Sequence, residues 1–155
     1  MDNAVKWIAE ITEVEYRGKS WNGKSFRDTL NGYSLGQVTS AETYEKFTVW
    51  AVVLHNIYWK WKLLRVLNPE DETPYVYEEK SFPALPEPED QAAWEKTLAD
   101  SDAVHDAYMA ALKGLTAEQL EQPAADWGCS IGEAVGWMST HDSYHTAQIR
   151  NMGVR

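Results

Sequence analysis

Two histidines stand four residues apart near the end of the chain, in the run His141-Asp142-Ser143-Tyr144-His145. On a helix this spacing stacks both imidazoles on one face. Neutral imidazole is the commonest protein ligand for zinc, nickel and iron, so the pair is part of a metal clamp that needs a third ligand. His55, set in a long apolar segment, is the candidate. Three neutral histidines leave a tetrahedral ion one open position, the pattern of a catalytic zinc-like site. Water bound there loses its proton near neutral pH, and a substrate thiol or oxygen can replace it. The alternative leaves His141 and His145 as surface residues or hydrogen-bonded core residues.

Gln148 lies one turn beyond His145, placed either to orient a ligand or substrate through its amide or to face solvent. Asp142 is the other candidate for chemistry, as a base, but it sits roughly 100° around the helix from His141 and is expected to be solvated. His-Asp-x-x-His imitates the zinc protease motif with Asp for Glu. Those enzymes take their third ligand downstream, and the ten residues after His145 contain no His, Asp or Glu. His105 sits on an apolar stripe without a partner at ligand spacing, and reads as a core histidine bonded to a hydroxyl such as Ser101 or Tyr108. Of eight tryptophans, Trp50, Trp59, Trp61 and Trp137 lie near the histidines in sequence; most read as core, with one or two walling a substrate pocket.

Four segments carry helical period and can position these groups, while nothing reads as a sheet. The first spans about Asp2 to Tyr16, with Ala4, Trp7, Ile8, Ile11 and Val14 on one stripe and Gly18 as its stop. A polar stretch to Ser40 contains a short helical turn at Phe26 to Leu30. The second helix starts at Ala41 or Lys46 and ends at Leu67, before Asn68-Pro69, with Phe47, Trp50, Ala51, Leu54, Ile57, Tyr58 and Trp61 on its apolar face. From Asn68 to Asp90 the chain is rich in proline and acid and reads as a long crossover without regular structure. The third helix, Gln91 to Leu112, carries Trp94, Leu98, Ser101, His105, Tyr108 and Leu112 on one stripe. The fourth begins at the capping box Ser130-Ile131-Gly132-Glu133, runs to about Asn151, and turns Ala134, Met138, His141, His145 and Gln148 inward. The fold class is therefore all-α, a four-helix bundle with a long crossover between helices 2 and 3, in which facing helices present ligands inward.

Gly18-Lys19-Ser20-Trp21-Asn22-Gly23-Lys24-Ser25 matches the phosphate-loop pattern G-x-x-x-x-G-K-S letter for letter. A working phosphate loop needs a strand before it and a sizeable helix after it. Here a helical segment precedes it and Asn31-Gly32 follows within two turns, so no nucleotide binding is expected.

With 155 residues, 44% of them hydrophobic, the chain suits one globular domain, residues 1–155. A formal net charge of −10 repels phosphate backbones and argues against nucleic acid as a partner. One cysteine, Cys129, excludes an internal disulfide framework and fits a reducing compartment. The opening MDNAVKWIAE lacks the pattern of a signal peptide, and the longest apolar run, Val49 to Leu54, is far short of the about 20 residues of a membrane span. The expected location is cytoplasmic, with no membrane partner.

Three segments together are similar to one family. The run Trp137 to Arg150, with His141, His145 and Gln148-Ile149, resembles the C-terminal helix of the DinB/YfiT-like superfamily, whose pattern is close to H-x-x-x-H-x-x-Q-[IL]. Gly18 to Ser25 followed by Leu30-Asn31-Gly32 resembles that family's G-x-S-W-x-G-x-S-L…L-x-G region. Thr48 to Trp59, with His55 followed four residues later by Trp59, resembles its second helix. The resemblance implies a four-helix bundle, commonly dimeric, holding a divalent metal ion, nickel or zinc, through His55, His141 and His145. Characterised relatives include low-molecular-weight thiol S-transferases and a thiol-dependent isomerase. Asp142 stands where Glu is commoner, and Thr146-Ala147 where a small residue such as Gly usually precedes Gln148; neither removes a ligand. The expectation is a metal-dependent enzyme acting on a small molecule by thiol transfer or hydrolysis, as a homodimer. The competing reading is a non-catalytic, stress-related metal- or ligand-binding bundle.

Overall fold

A computed structural model describes residues 3–154, and these form an all-helical chain. Four long helices, α1 (Asn3–Arg17), α4 (Val49–Leu67), α5 (Gln91–Lys113) and α7 (Ile131–Asn151), are joined by segments carrying the short helices α2 (Phe26–Leu30), α3 (Leu35–Thr39) and α6 (Ala117–Leu120) and a 3-10 turn, Ala125–Trp127. Helix α4 lies against α5 and α7, and α1 against α7 and α5. The described residues contain no strand, only one isolated bridge between Pro123 and Ser130. None of the described helices is long and apolar enough to cross a membrane.

Local chemistry fixes the helix ends. Ser130 Oγ accepts from Glu133 N while the Glu133 carboxylate accepts from Ser130 N at 2.8 Å, the reciprocal capping box read from the sequence. The second long helix begins later than expected. Lys46 has a left-handed φ of 60°, and Thr48 caps the helix by accepting from Ala51 N at 2.9 Å. Phe47 consequently lies outside α4. Two capping boxes, Ser34 with Gln37 and Thr116 with Gln119, start α3 and α6, short helices whose S/T-x-x-Q signals are present in the sequence but carry no hydrophobic period behind them.

The core has two parts. Trp50, Val53, Leu54, Ile57, Phe26 and Trp94 fill one, and Leu63, Leu64, Tyr108, Leu112, Val135 and Met138 fill the other. Trp50 is fully buried, edge-on to Trp94 at 5.2 Å, and gives its indole N–H to Thr97 Oγ1. Its polar atom is thus satisfied inside the core.

Helix α1 turns a different stripe inward from the one its apolar residues suggest. Val5, Ala9, Thr12, Glu15 and Tyr16 are buried, while Trp7 is 65% and Ile11 53% exposed. Polar anchors set this rotation. The Tyr16 hydroxyl donates to Asp102 at 2.8 Å and pairs with Ser101 Oγ, its ring stacks on His105 at 3.7 Å, and Thr12 satisfies its hydroxyl on Ile8 O. Glu15 accepts from Ser20 Oγ and Asn22 Nδ2, which holds the 18–25 segment onto α1 as an irregular connection with no strand before it and only the five-residue α2 after it. The expected helix start at Asp2 lies outside the described residues.

Because Ser130 satisfies an otherwise orphaned backbone N–H, Ser130→Ala should cost about 1 kcal/mol. Urea unfolding followed by helical circular dichroism measures it, and an unchanged midpoint would remove the cap from the account of α7.

Candidate metal centre

Helix α4 carries His55 and helix α7 carries His141 and His145, and the packing of α4 on α7 brings the three rings together. Their ligand nitrogens all lie within 4.8 Å of one another. The two Nε2 atoms of His141 and His145 face each other at 3.0 Å. A tetrahedral ion bound at about 2.0–2.1 Å holds its ligand nitrogens about 3.3 Å apart, close to that spacing. Ring centroids of His55 lie 5.3 Å from His141 and 4.8 Å from His145.

Hydrogen bonds behind the rings decide which nitrogen faces inward. His55 Nδ1–H donates to the Ser81 carbonyl at 3.0 Å, so its Nε2 carries the free lone pair. His145 Nδ1–H donates to Gln148 Oε1 at 2.6 Å, with the same result, and the Gln148 amide N–H₂ in turn donates to the Glu45 carboxylate. Gln148 therefore orients a histidine. His141 Nδ1 is buried without a hydrogen-bond partner. Two imidazole Nε2 atoms aimed at each other, with the outer nitrogen of one already committed as a donor, form an arrangement that a cation accepting both lone pairs would complete.

All three rings are poised neutral. Burial, with the neighbouring histidines, pushes the His55 imidazole down to about 4 and the His141 imidazole to about 3, and burial lowers that of His145. Neutral imidazole is the form that binds metal.

The connecting segment between α4 and α5 forms one wall. Phe82 stacks on the His55 ring at 4.3 Å and Phe47 on Phe82 at 4.9 Å, while Ser81 Oγ accepts from Trp59 Nε1 at 3.0 Å. Residues 68–90 have no regular structure, as their composition suggests, yet they supply Ser81 and Phe82 to the site. No sequence signal marks those two residues, because nothing local relates them to His55.

Asp142 is not solvated, which corrects the expectation. It is fully buried, and both of its carboxylate oxygens accept from the ammonium of Lys60, itself 1% exposed, at 2.9 Å. Asn56 Nδ2 donates to Asp142 Oδ1 at 2.8 Å. The 100° that separates Asp142 from His141 points it between the helices and not to solvent. His105 is a core residue, but its partners are charged groups instead of a hydroxyl. Lys60 donates to Nδ1 at 3.2 Å and Nε2–H donates to the Glu13 carboxylate at 3.1 Å. Burial and the nearby Lys60 charge push its pKa far down. Lys60 is one of three basic residues on α4, with Lys62 and Arg65, and nothing local marks it as the buried one.

The model of the DinB superfamily matches residues 20–149, which include all three histidines. The chain belongs to the DinB superfamily. Comparison with curated proteins and with solved structures found no match. In this DinB-superfamily chain the matched span leaves out α1, the helix that closes the polar network through Glu13 and Tyr16.

Beside the triad, a cleft of about 170 Å³ is lined by Trp59, Trp127, Ala134, Trp137, Met138 and His141. A larger hollow of about 670 Å³ shares Trp59 and Trp127 and adds Trp61, Lys62, Arg65, Glu79 and Asp126. Of the four tryptophans expected near the site, Trp59 and Trp137 line the cleft, Trp61 only the hollow, and Trp50 is core.

Asp142→Ala strands a buried ammonium and should lower stability by about 3–5 kcal/mol, whereas Lys60→Met with Asp142→Leu should recover most of that loss. Paired urea titrations test this; equal losses in the single and double variants would contradict it. Acid should act through the histidines. Their native pKa values lie below the unfolded value of about 6.5, so the unfolded state binds protons that the native state excludes. Metal-free protein should lose stability as pH falls from about 6.5 toward 4, and this loss should be smaller in His141→Gln. A flat profile in that window would contradict the neutral-triad geometry.

Proposed function

We propose that this chain is a divalent-metal-dependent enzyme acting on a small molecule, with His55, His141 and His145 as the metal ligands. The observation that carries the reading is the convergence of three neutral imidazoles within 4.8 Å, two of them anchored through Nδ1 so that Nε2 is free. An all-nitrogen, neutral set of this kind suits nickel or zinc better than magnesium or calcium, which prefer oxygen. When bound, such an ion supplies a fourth position where a water or thiol loses its proton near neutral pH. The protein's part is orientation: Ser81 fixes His55, Gln148 with Glu45 fixes His145, and the aromatic wall of Phe82 and Phe47 limits water on one side.

The cleft at His141 favours turnover over storage, because a site that only sequesters an ion needs no adjoining space for a reactant. Thiol transfer or hydrolysis on a small substrate, with a low-molecular-weight thiol as co-substrate, is the chemistry we assign. The architecture we assign is a single-domain four-helix bundle of α1, α4, α5 and α7, with 68–90 as its crossover. Trp7 and Ile11, exposed on one side of α1, support a homodimer buried through that helix. A reducing, cytoplasmic setting fits the single cysteine.

Metal analysis of protein purified without an affinity tag, followed by a thiol-transfer screen on the loaded form, tests the proposal. His141→Ala should abolish metal binding and activity while leaving helical circular dichroism nearly intact, since the core does not depend on the site. An unfolded variant, or an unfolded chelated wild type, would make the site structural. Gln148→Ala should bind metal about 10- to 100-fold more weakly, read by competition with a chromogenic chelator; unchanged affinity would remove Gln148 from the centre.

A further inference from the structure

We infer that the cleft beside His141 receives an uncharged, flat, apolar group of the substrate, with Trp59, Trp127 and Trp137 as the residues that select it. This rests on the metal-site reading for its chemistry but on separate observations for its specificity. Ala134, Trp137, Met138 and His141 fall at i, i+3, i+4 and i+7 of α7 and so form one face of that helix. Trp59 closes the cleft from α4 and Trp127 from the 3-10 turn.

The walls are held in place. Trp59 gives its indole N–H to Ser81 Oγ and stands edge-on to Trp127 at 5.8 Å and 83°, and edge-on to His55 at 6.3 Å. What it turns to the cleft is ring carbon. No charged side chain lines this space, so a carboxylate, phosphate or ammonium placed there would lose its hydration without gaining a partner. The contrast with the neighbouring hollow is direct. On the far side of the Trp59–Trp127 pair stand Lys62, Arg65, Glu79 and Asp126, with Lys62 paired to Glu79.

Size narrows the ligand further. The cleft holds about 170 Å³, and an apolar cavity of about 150 Å³ accommodates benzene. One six-membered ring with a short substituent fills it. Trp137 is 56% exposed at the rim, an indole face available for offset stacking on an incoming ring. Because His141 is both a wall of the cleft and a member of the triad, a ring seated there directs its substituent toward the three histidines.

Fluorine NMR titration with 4-fluorobenzyl alcohol, 4-fluorobenzoate and 4-fluorobenzylamine tests the assignment, on protein as purified and after chelation. On chelated protein, where no ion can ligate the carboxylate or the amine, the alcohol should bind saturably and at least fivefold more tightly than either of them. Trp137→Ala, at an exposed position, and Trp59→Phe should each weaken it at least fivefold, while Trp61→Phe, which keeps an aromatic ring against Tyr75 and lines the larger hollow but not the cleft, should leave it unchanged. Absence of saturation, equal binding of the charged compounds to chelated protein, or insensitivity to Trp137 and Trp59 would overturn the assignment. Loading with nickel adds a distance: bound paramagnetic nickel should broaden the fluorine signal, and a sharp signal on nickel-loaded protein would place the ring elsewhere. Failure of the chelated protein to take up either nickel or zinc would instead overturn the metal-site reading, and the chelated-protein titration would still decide the cleft.

Discussion

The fully buried ion pair between Lys60 and Asp142 is the constraint around which the site is arranged. Removing two charges from water costs several kcal/mol per ion, and their attraction offsets this only when geometry is good and the remaining hydrogen bonds are made. Here the ammonium reaches both carboxylate oxygens at 2.9 Å, approaches His105 Nδ1, and lies 4.2 Å above the Tyr16 ring. Such a pair has few alternative arrangements, because sliding either helix by one residue would strand both charges in an apolar interior. It therefore sets register more than it sets stability. The consequence reaches the triad through sequence neighbours: Asn56 follows His55, Asp142 follows His141, and Asn56 donates to Asp142. Helices α4 and α7 are pinned one residue from their histidines.

The same network explains why α1 faces as it does. His105 passes the polar chain from Lys60 outward to Glu13, which also holds Arg17, and Tyr16 packs against the His105 ring while bonding Asp102. Leaving Trp7 and Ile11 exposed costs hydrophobic stabilisation, but rotating α1 to bury them would unpair Glu13 from His105 and Tyr16 from Asp102 and Ser101. Unsatisfied buried polar groups outweigh the exposed indole and the exposed isoleucine in that comparison.

The fold was legible where local signals and long-range packing agree. Helices α5 and α7 were read to within a residue or so, because a 3.6-residue period coincides with firm caps at Asp90 and Ser130. The three histidines were legible for a similar reason, since i, i+4 spacing is a local property and His55 stands alone in an apolar helix. Reading failed where polar residues at a distance decide. The start of α4 was set by the left-handed Lys46 and the Thr48 cap, against an apolar pattern running back to Phe47. The inward face of α1 is set by partners on α5, and the burial of Asp142 has no local sign because Lys60, its partner, lies 82 residues away. Ser81 and Phe82 carried no signal for the same reason.

That failure has a common physical form. A hydrophobic stripe reports only that a face wants to leave water, and many rotations and registers satisfy it about equally. Buried charges and hydrogen bonds discriminate among them, because each has one acceptable partner and a large penalty without it. In this DinB-superfamily chain the discriminating contacts crowd around the histidines: Ser81 on His55, Gln148 and Glu45 behind His145, Asn56 and Lys60 on Asp142. A core held by aliphatic packing alone could fold without them. Holding three imidazole nitrogens within 4.8 Å is a stricter demand than burying the helices, and it is met by polar contacts that cross between elements distant in sequence. The residues that composition and periodicity cannot place are thus the ones that make the arrangement of the histidines specific.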